Sequence, residues 1–277
     1  MKAGIDFGTS LVKAVWMHGE GYKFVSTADG PLDEIVQQMK NDQVRELHIA
    51  GIGYSKDSYE QFGEFELRVK EGDPIENEVM LQSGGAKRLL EIEGYPLPQF
   101  LLVSMGTGTS YTLVTKEKAT KFPLGNSLSG GLIQGLGKVL GAANYEEIAR
   151  LAACGTPLDL LIKDMIPEKA GTFEGELVVA NFAKGSVDSE KKDAYATIMS
   201  LVAVATIRDV MLVGMMPNFQ VPEEVVFIGS TISRTPTLKN LLEMYSTMIG
   251  KKPYFPVHGE FSLAMGAYQM GSAMPLK

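Results

Sequence analysis

One pattern, written twice about a hundred residues apart, constrains this chain more than anything else in it. A short apolar run, a turn of small residues and a second apolar run appear first as Ala3–Phe7, Gly8-Thr9-Ser10 and Leu11–Met17. They return as Phe100–Ser104, Gly106-Thr-Gly-Thr-Ser110 and Tyr111–Val114. Short apolar or alternating runs bounded by glycine turns read as β-strands. Glycine lets such a turn close tightly and bare its N–H groups, which suits anionic oxygens. Each turn alone also reads as an ordinary polar hairpin. In matching positions after apolar strands, the pair points to two half-domains clasping a polyphosphate. No Gly-x4-Gly-Lys-Ser/Thr run is present, which argues against a P-loop enzyme.

The rest of the chain fills in an α/β protein. Tyr22–Ser26 reads as a third strand, and Leu32, Ile35, Val36 and Met39 recur at helical spacing before a strand at Glu46–Gly51. Three neighbouring strands, a helix and a crossover strand open a mixed sheet rather than a Rossmann unit. Tyr54–Asn77 is charged and poorly periodic, and reads as a surface excursion before a helix over Met80–Glu93. Further helices are expected from Gly130 through Leu140, and over Tyr145–Ala153, Leu158–Met165, Ala194–Met215, Thr237–Ile249 and Phe261–Met274. Val225–Gly229 and Pro253–Val257 read as the last strands.

A net charge of −7 leaves no basic excess to neutralise a nucleic-acid backbone. It leaves room for a nucleotide, which backbone N–H groups and one or two cations can hold locally. The single cysteine, Cys154, fits a reducing compartment and reads as a packed thiol at a helix end. The N-terminus reaches Asp6 before any apolar region forms, so no signal peptide is expected. The stretch Ile198–Met216 is interrupted by Arg208 and Asp209 and reads as a buried helix, not a membrane span. The expectation is a cytoplasmic protein with no membrane or nucleic-acid partner.

Asp6 ends the first strand, where a carboxylate can hold Mg²⁺ that also takes waters and phosphate oxygens. Lys13 can neutralise a phosphate as a point charge. Glu71, Asp73, Glu76 and Glu78 read on their own as solvated surface acids. His18, His48 and His258 lack metal-ligand spacing and read as structural, and Trp16 reads as core. The methionines, several within Met211–Met216, suit helix packing or a dimer interface.

Six segments stand in an order that resembles the type II pantothenate kinases. They are Gly4-Ile-Asp-Phe-Gly-Thr-Ser10, Gly106-Thr-Gly-Thr-Ser110, Gly130-Gly-Leu-Ile-Gln-Gly-Leu-Gly137, Ala180-Asn-Phe182, Phe227-Ile-Gly-Ser230 and Lys252-Pro-Tyr-Phe255. The resemblance covers essentially the whole chain. It implies a two-domain actin-like ATPase (ribonuclease H-like) fold with mixed sheets flanked by helices, divided into halves at 1–99 and 100–277. It also implies a homodimer, ATP with Mg²⁺, and phosphorylation of pantothenate, the first step towards coenzyme A. Asp6, Phe7, Gly8, Thr9, Ser10, Leu11, Val12 and Lys13 would form the first phosphate loop, with Asp6 towards the metal. Thr107 would belong to the second. Gly130, Gly131, Leu132, Ile133 and Gln134 would present free N–H groups at a helix N-terminus near the nucleotide. Tyr145 and Ser230 would lie near the nucleoside, and Glu78 would be the general base, with Glu76 its nearby competitor.

The match departs in two places. An arginine of the family pattern falls on Phe122, with Lys121 adjacent, and Val79-Met80-Leu81 replaces a more polar stretch. These departures raise two alternatives: a kinase of the same fold for another small hydroxylated acceptor, and an ATP-binding relative impaired in transfer.

Overall fold

The computed structural model describes residues 1–8, 11–51, 62–216 and 220–273. The chain forms two compact units, one of residues 1–102, 112–121 and 255–277, the other of 103–111 and 122–254.

In the first unit, β1 (Lys2–Phe7), β2 (Val12–His18) and β3 (Gly21–Ser26) form an antiparallel meander. After α1 (Leu32–Asn41), β4 (Glu46–Ala50) pairs parallel to β1, and β5 (Glu66–Val69) parallel to β4. The order β3-β2-β1-β4-β5 is the mixed sheet expected from the strand–helix–strand opening. β5 lies inside the expected surface excursion. Its sequence, Glu-Leu-Arg-Val, is short and largely exposed, so it lacks an apolar signature.

Strand alternation sorts the side chains of this sheet onto two faces. Ala3, Ile5 and Phe7 of β1, with Ala14 and Trp16 of β2, pack into one core with Ile35, Val36 and Met39 of α1. Gly4 and Asp6 of β1 therefore turn to the opposite face, as do their register partners Val15 and Lys13. Two helices cover that face: α2 (Pro74–Ile92) and α9 (Ser262–Ala273, the last helix of the chain). Their backbones meet at glycines. A Cβ on Gly85 of α2 would lie 1.8 Å from the Ser262 carbonyl oxygen, and one on Gly266 of α9 1.9 Å from that of Leu81. A Cβ on Gly4 would likewise lie 2.0 Å from the Ala264 oxygen. This crossing fixes where α2, and everything it carries, stands over the sheet. α2 begins six residues before the expected helix because Asp73 caps it, accepting the N–H groups of Ile75 and Glu76 at 2.9 Å, with Pro74 in the first turn.

A second sheet, ordered β12-β11-β6-β7-β8, is built from β6 (Phe100–Met105), β7 (Thr109–Val114), β8 (Ala119–Lys121), β11 (Glu224–Ile228) and β12 (Lys252–Tyr254). β6 and β7 carry the chain from one unit to the other. The second unit also holds α3 (Gly130–Val139), α4 (Tyr145–Ala152) and α8 (Pro236–Met248) around α6 (Lys191–Gly214), with α7 (Ser230–Ser233) packed on α8 and β11. α6 is long and apolar enough to cross a membrane, but most of its apolar window is buried within the fold. The helix expected over Leu158–Met165 is instead a short strand, β9 (Leu160–Leu161), and a single turn, α5 (Ile162–Met165). β9 pairs with β10 (Val178–Ala180), which the sequence had not signalled. Cys154 is exposed, not packed: the helix ends at Ala152 and the thiol follows in the turn.

Candidate active site

In the first unit, β1 and β2 are joined by a turn in which the Gly8 N–H donates to the Leu11 carbonyl at 3.1 Å. Thr9 and Ser10 lie outside the described residues. Asp6 is 6 % exposed and accepts from Lys13 Nζ at 3.0 Å, its cross-strand partner. Burial pushes the Asp6 carboxyl above its ordinary value, and the Lys13 ammonium opposes that rise. A glycine makes room beside it. Gly51, at the end of β4 with φ +93°, would place a Cβ 2.9 Å from Asp6 Oδ1 and 2.4 Å from the Phe7 oxygen. The Phe7 side chain lies in the core, edge-on to Phe62 at 5.5 Å, so only its backbone remains for a ligand.

Glu78 stands on the second turn of α2, on the helix layer that covers the Asp6 face. It is half-buried, while Glu76 is exposed. Burial raises the Glu78 carboxyl above its ordinary value; the Lys121 ammonium on β8 draws it down and the Asp6 carboxylate pushes it up. Glu78 lines a cleft of about 140 Å³ with Ala50 and Gly51 of β4, Val69 of β5, and Asn77 and Leu81 of α2. The cleft opens at the carboxyl ends of the parallel strands β4 and β5, where ligands of open α/β sheets bind. Asn77 Nδ2 braces its rim by donating to the carbonyls of Lys70 and Glu71, each at 3.1 Å. Lys121 and Phe122 separate at the end of β8: the lysine is exposed and the phenylalanine only 4 % exposed. The side chain in the arginine position is core. The adjacent lysine is the cation that acts on Glu78.

In the second unit, the turn Gly106-Thr107-Gly108 follows β6, with Thr107 exposed. The Gly106 carbonyl accepts from three donors: Gly130 N–H at 3.0 Å, Ser129 Oγ at 3.1 Å and Thr231 Oγ1 at 2.8 Å. The Thr107 carbonyl accepts from Gly131 N–H at 2.9 Å. The N–H groups of Gly130 and Gly131, expected to be free for a phosphate, are thus taken up in joining α3 to the turn. Their glycine identity has a steric cause, since Cβ atoms there would lie 2.6 Å from the Gly106 oxygen and 2.9 Å from that of Thr107. Ile133 is wholly buried, Leu132 partly, and Gln134 is exposed.

A part-buried network that the sequence did not disclose supports this arrangement. Asp209 Oδ2 of α6 accepts from Tyr111 Oη at 3.0 Å and from Asn126 Nδ2 at 2.6 Å. Asn126 in turn exchanges two backbone hydrogen bonds of 2.8 Å with Thr109. The only signal was a charge interrupting an apolar helix. Tyr145, at the start of α4, is 8 % exposed; its hydroxyl shares a hydrogen bond of 2.9 Å with Thr235 Oγ1, and the Arg234 guanidinium lies over its ring. Ser230 is half-buried and opens α7, just after Gly229 at φ +111°.

A buried carboxylate at a strand end, with a cationic partner and glycine-cleared space, fits Mg²⁺ held through one carboxylate, waters and phosphate oxygens. Among the described residues no group of three or more potential ligand side chains exists, and such a site requires none.

Comparison with known proteins adds the family. The model of the Fumble family matches residues 82–270. The type II pantothenate kinase of Staphylococcus epidermidis RP62A is 26 % identical over 272 residues, covering 96 % of this chain and 99 % of its own. That of Staphylococcus haemolyticus is 27 % identical over 274 residues, with 96 % and 98 % covered. Among solved structures, the activator of the 2-hydroxyisocaproyl-CoA dehydratase from Clostridium difficile, with bound ADPNP, superimposes with a TM-score of 0.60 at 12 % identity, covering 96 % of this chain and 92 % of that one. Component A of the Acidaminococcus fermentans (R)-2-hydroxyglutaryl-CoA dehydratase gives 0.59 at 16 % identity, with 96 % and 95 % covered. These likenesses show the fold, the actin-like ATPase architecture of mixed sheets flanked by helices. The family match, spanning more than half the sequence, shows that the chain belongs to the Fumble family, that of the type II pantothenate kinases.

Proposed function

We propose that this protein is an ATP-dependent kinase that phosphorylates the primary hydroxyl of pantothenate, the first step towards coenzyme A. Its family and the type II pantothenate kinases with which it aligns nearly end to end support the reading. The structural observation that carries it is Glu78: a half-buried carboxylate with a raised pKa, on the helix above Asp6 and Lys13, opening into a cleft.

Glu78 accepts the proton of the acceptor hydroxyl as that oxygen bonds to the γ-phosphorus and the bond to ADP breaks. The Lys121 ammonium favours the ionised, basic form of Glu78, and Asp6 would hold the metal, with Lys13 fixing its carboxylate. Mg²⁺, when bound, neutralises charge on the phosphoryl group in transfer. The turns at Gly8 and at Gly106–Gly108 each offer small-residue backbone to phosphate oxygens, the first from residues 1–99 and the second from residues 100–277. Ser230 and the Tyr145 region serve the nucleoside. The protein acts in the cytoplasm as a homodimer, for which the exposed Met211, Leu212, Met215 and Met216 at the end of α6 offer apolar surface.

The test is ADP release with Mg-ATP and a panel of small hydroxylated acceptors. Pantothenate should stimulate turnover above all others. Stimulation by a different alcohol would reassign the acceptor, and none by any would leave an ATP-binding protein without transfer.

A further inference from the structure

Arg234 is the C-cap of α7, a surface arginine with an unusual mounting. Its guanidinium lies 4.7 Å from the centroid of the Tyr145 ring and is paired with Glu146, the residue next to that tyrosine. The tyrosine cannot yield, because it is buried and its hydroxyl is bonded to Thr235, itself wholly buried. The guanidinium is therefore held from below by a fixed ring and from the side by a carboxylate. A third of its side chain stays exposed. Guanidinium planes stack on aromatic faces on one side and on nucleobases on the other.

The position along the chain matches that use. Thr231, three residues earlier, bonds the Gly106 carbonyl of the second phosphate turn at 2.8 Å. Thr231 and Arg234 are separated by one helical turn, about 5 Å of rise. Thr231 thus ties the phosphate turn to the helical turn that ends at Arg234. Tyr145 is buried beneath the guanidinium, so the arginine is the more exposed plane of the pair.

We propose that Arg234 is the stacking platform for the purine base of the bound nucleotide, with Tyr145 and Glu146 as the support that holds it flat. The inference rests on the ATP-dependent reading above.

The test separates base from phosphate. Binding of Mg-ATP and of inorganic tripolyphosphate is measured by calorimetry on the full-length protein, Arg234→Ala and Arg234→Lys. Both variants should bind ATP more weakly by roughly tenfold, the order of a base-stacking contact, and tripolyphosphate no more than about twofold more weakly. Arg234→Lys keeps the charge and the length but lacks the plane, and it decides the matter alone if the alanine variant does not fold. Equal losses for both ligands would make the arginine a phosphate contact and overturn the proposal. Unchanged ATP affinity, or full function in Arg234→Lys, would also overturn it, leaving a surface ion pair. If the wild type binds no ATP, the proposed function falls as well; if it binds and the variants match it, only this inference falls.

Discussion

Gly266→Ala probes whether the glycine crossing of α2 and α9 positions Glu78. The added Cβ would sit 1.9 Å from the Leu81 carbonyl oxygen and 2.5 Å from its carbon, a backbone clash that no rotamer relieves. Reaching ordinary contact requires the helices to part by about 1.5 Å. Overpacking of this kind costs about 1–3 kcal/mol, against which alanine regains about 0.5–1 kcal/mol of helix preference. A net loss of about 1 kcal/mol lowers the melting temperature by about 2–4 °C in a protein of this size. Leu81 lies one turn beyond Glu78 on the same helix, so the carboxylate moves too, and a displacement of about 1 Å can cost about a hundredfold in turnover. Gly84→Ala is the control, since the nearest atom to its Cβ is the Gln269 side-chain oxygen at 4.0 Å. That variant should equal or slightly exceed the wild type in stability and match it in rate. Thermal unfolding by circular dichroism and steady-state ADP release measure both. Two unchanged variants would refute the close crossing; Gly266→Ala destabilised but fully active would refute its role in placing the base.

The remaining predictions concern charge and the Asp209 network. Because the Glu78 carboxyl titrates above its ordinary 4.5, kcat/KM should fall on acidification through that raised value, at higher pH than a free glutamate would give. Lys121→Gln should move this acid limb further up, because the ammonium that draws the carboxyl down is gone; a limb that stays in place would contradict the electrostatic assignment. A carboxyl raised in the fold disfavours folding once ionised. The cost is absent below the ordinary value and complete above the raised one, so Glu78→Gln should be more stable than wild type at neutral pH and equal to it in acid. Asp209→Ala leaves Tyr111 Oη and Asn126 Nδ2 without their acceptor, a loss of about 1–3 kcal/mol for part-buried hydrogen bonds to a charged group. It should also raise KM for ATP by loosening the segment that leads to Ser129–Gly131; a lower melting temperature with unchanged KM would confine Asp209 to stability.

Much of the frame was legible in the sequence because apolar periodicity and glycine turns are local signals. The first meander, α1, β4, and the helices at Gly130, Tyr145 and Pro236 lie within a few residues of where the pattern puts them. The unread parts depend on partners distant in sequence. β5 and β8 are short, polar strands defined by the neighbours they pair with. Leu158–Met165 carries helical periodicity, yet β10 draws its Leu160-Leu161 into a ladder. The same division runs through the site. Asp6, Gly8 and Thr107 announce themselves in turns. Nothing in the spacing of Glu78 separates it from Glu76 until α2 half-buries one and exposes the other. The carbonyls that take up the Gly130 and Gly131 N–H groups lie more than twenty residues away, and Asn126 finds Asp209 across 83.

The central claim is that Glu78, and not its exposed neighbour, takes the proton from pantothenate. Wild type, Glu78→Gln and Glu76→Gln should be compared for pantothenate-dependent ADP release under saturating Mg-ATP. General-base catalysis of this kind contributes about 10²–10⁴-fold, so Glu78→Gln should lose that much kcat while still binding ATP, and Glu76→Gln should keep wild-type turnover. Full turnover in Glu78→Gln, or an equal loss in both variants, would contradict the account.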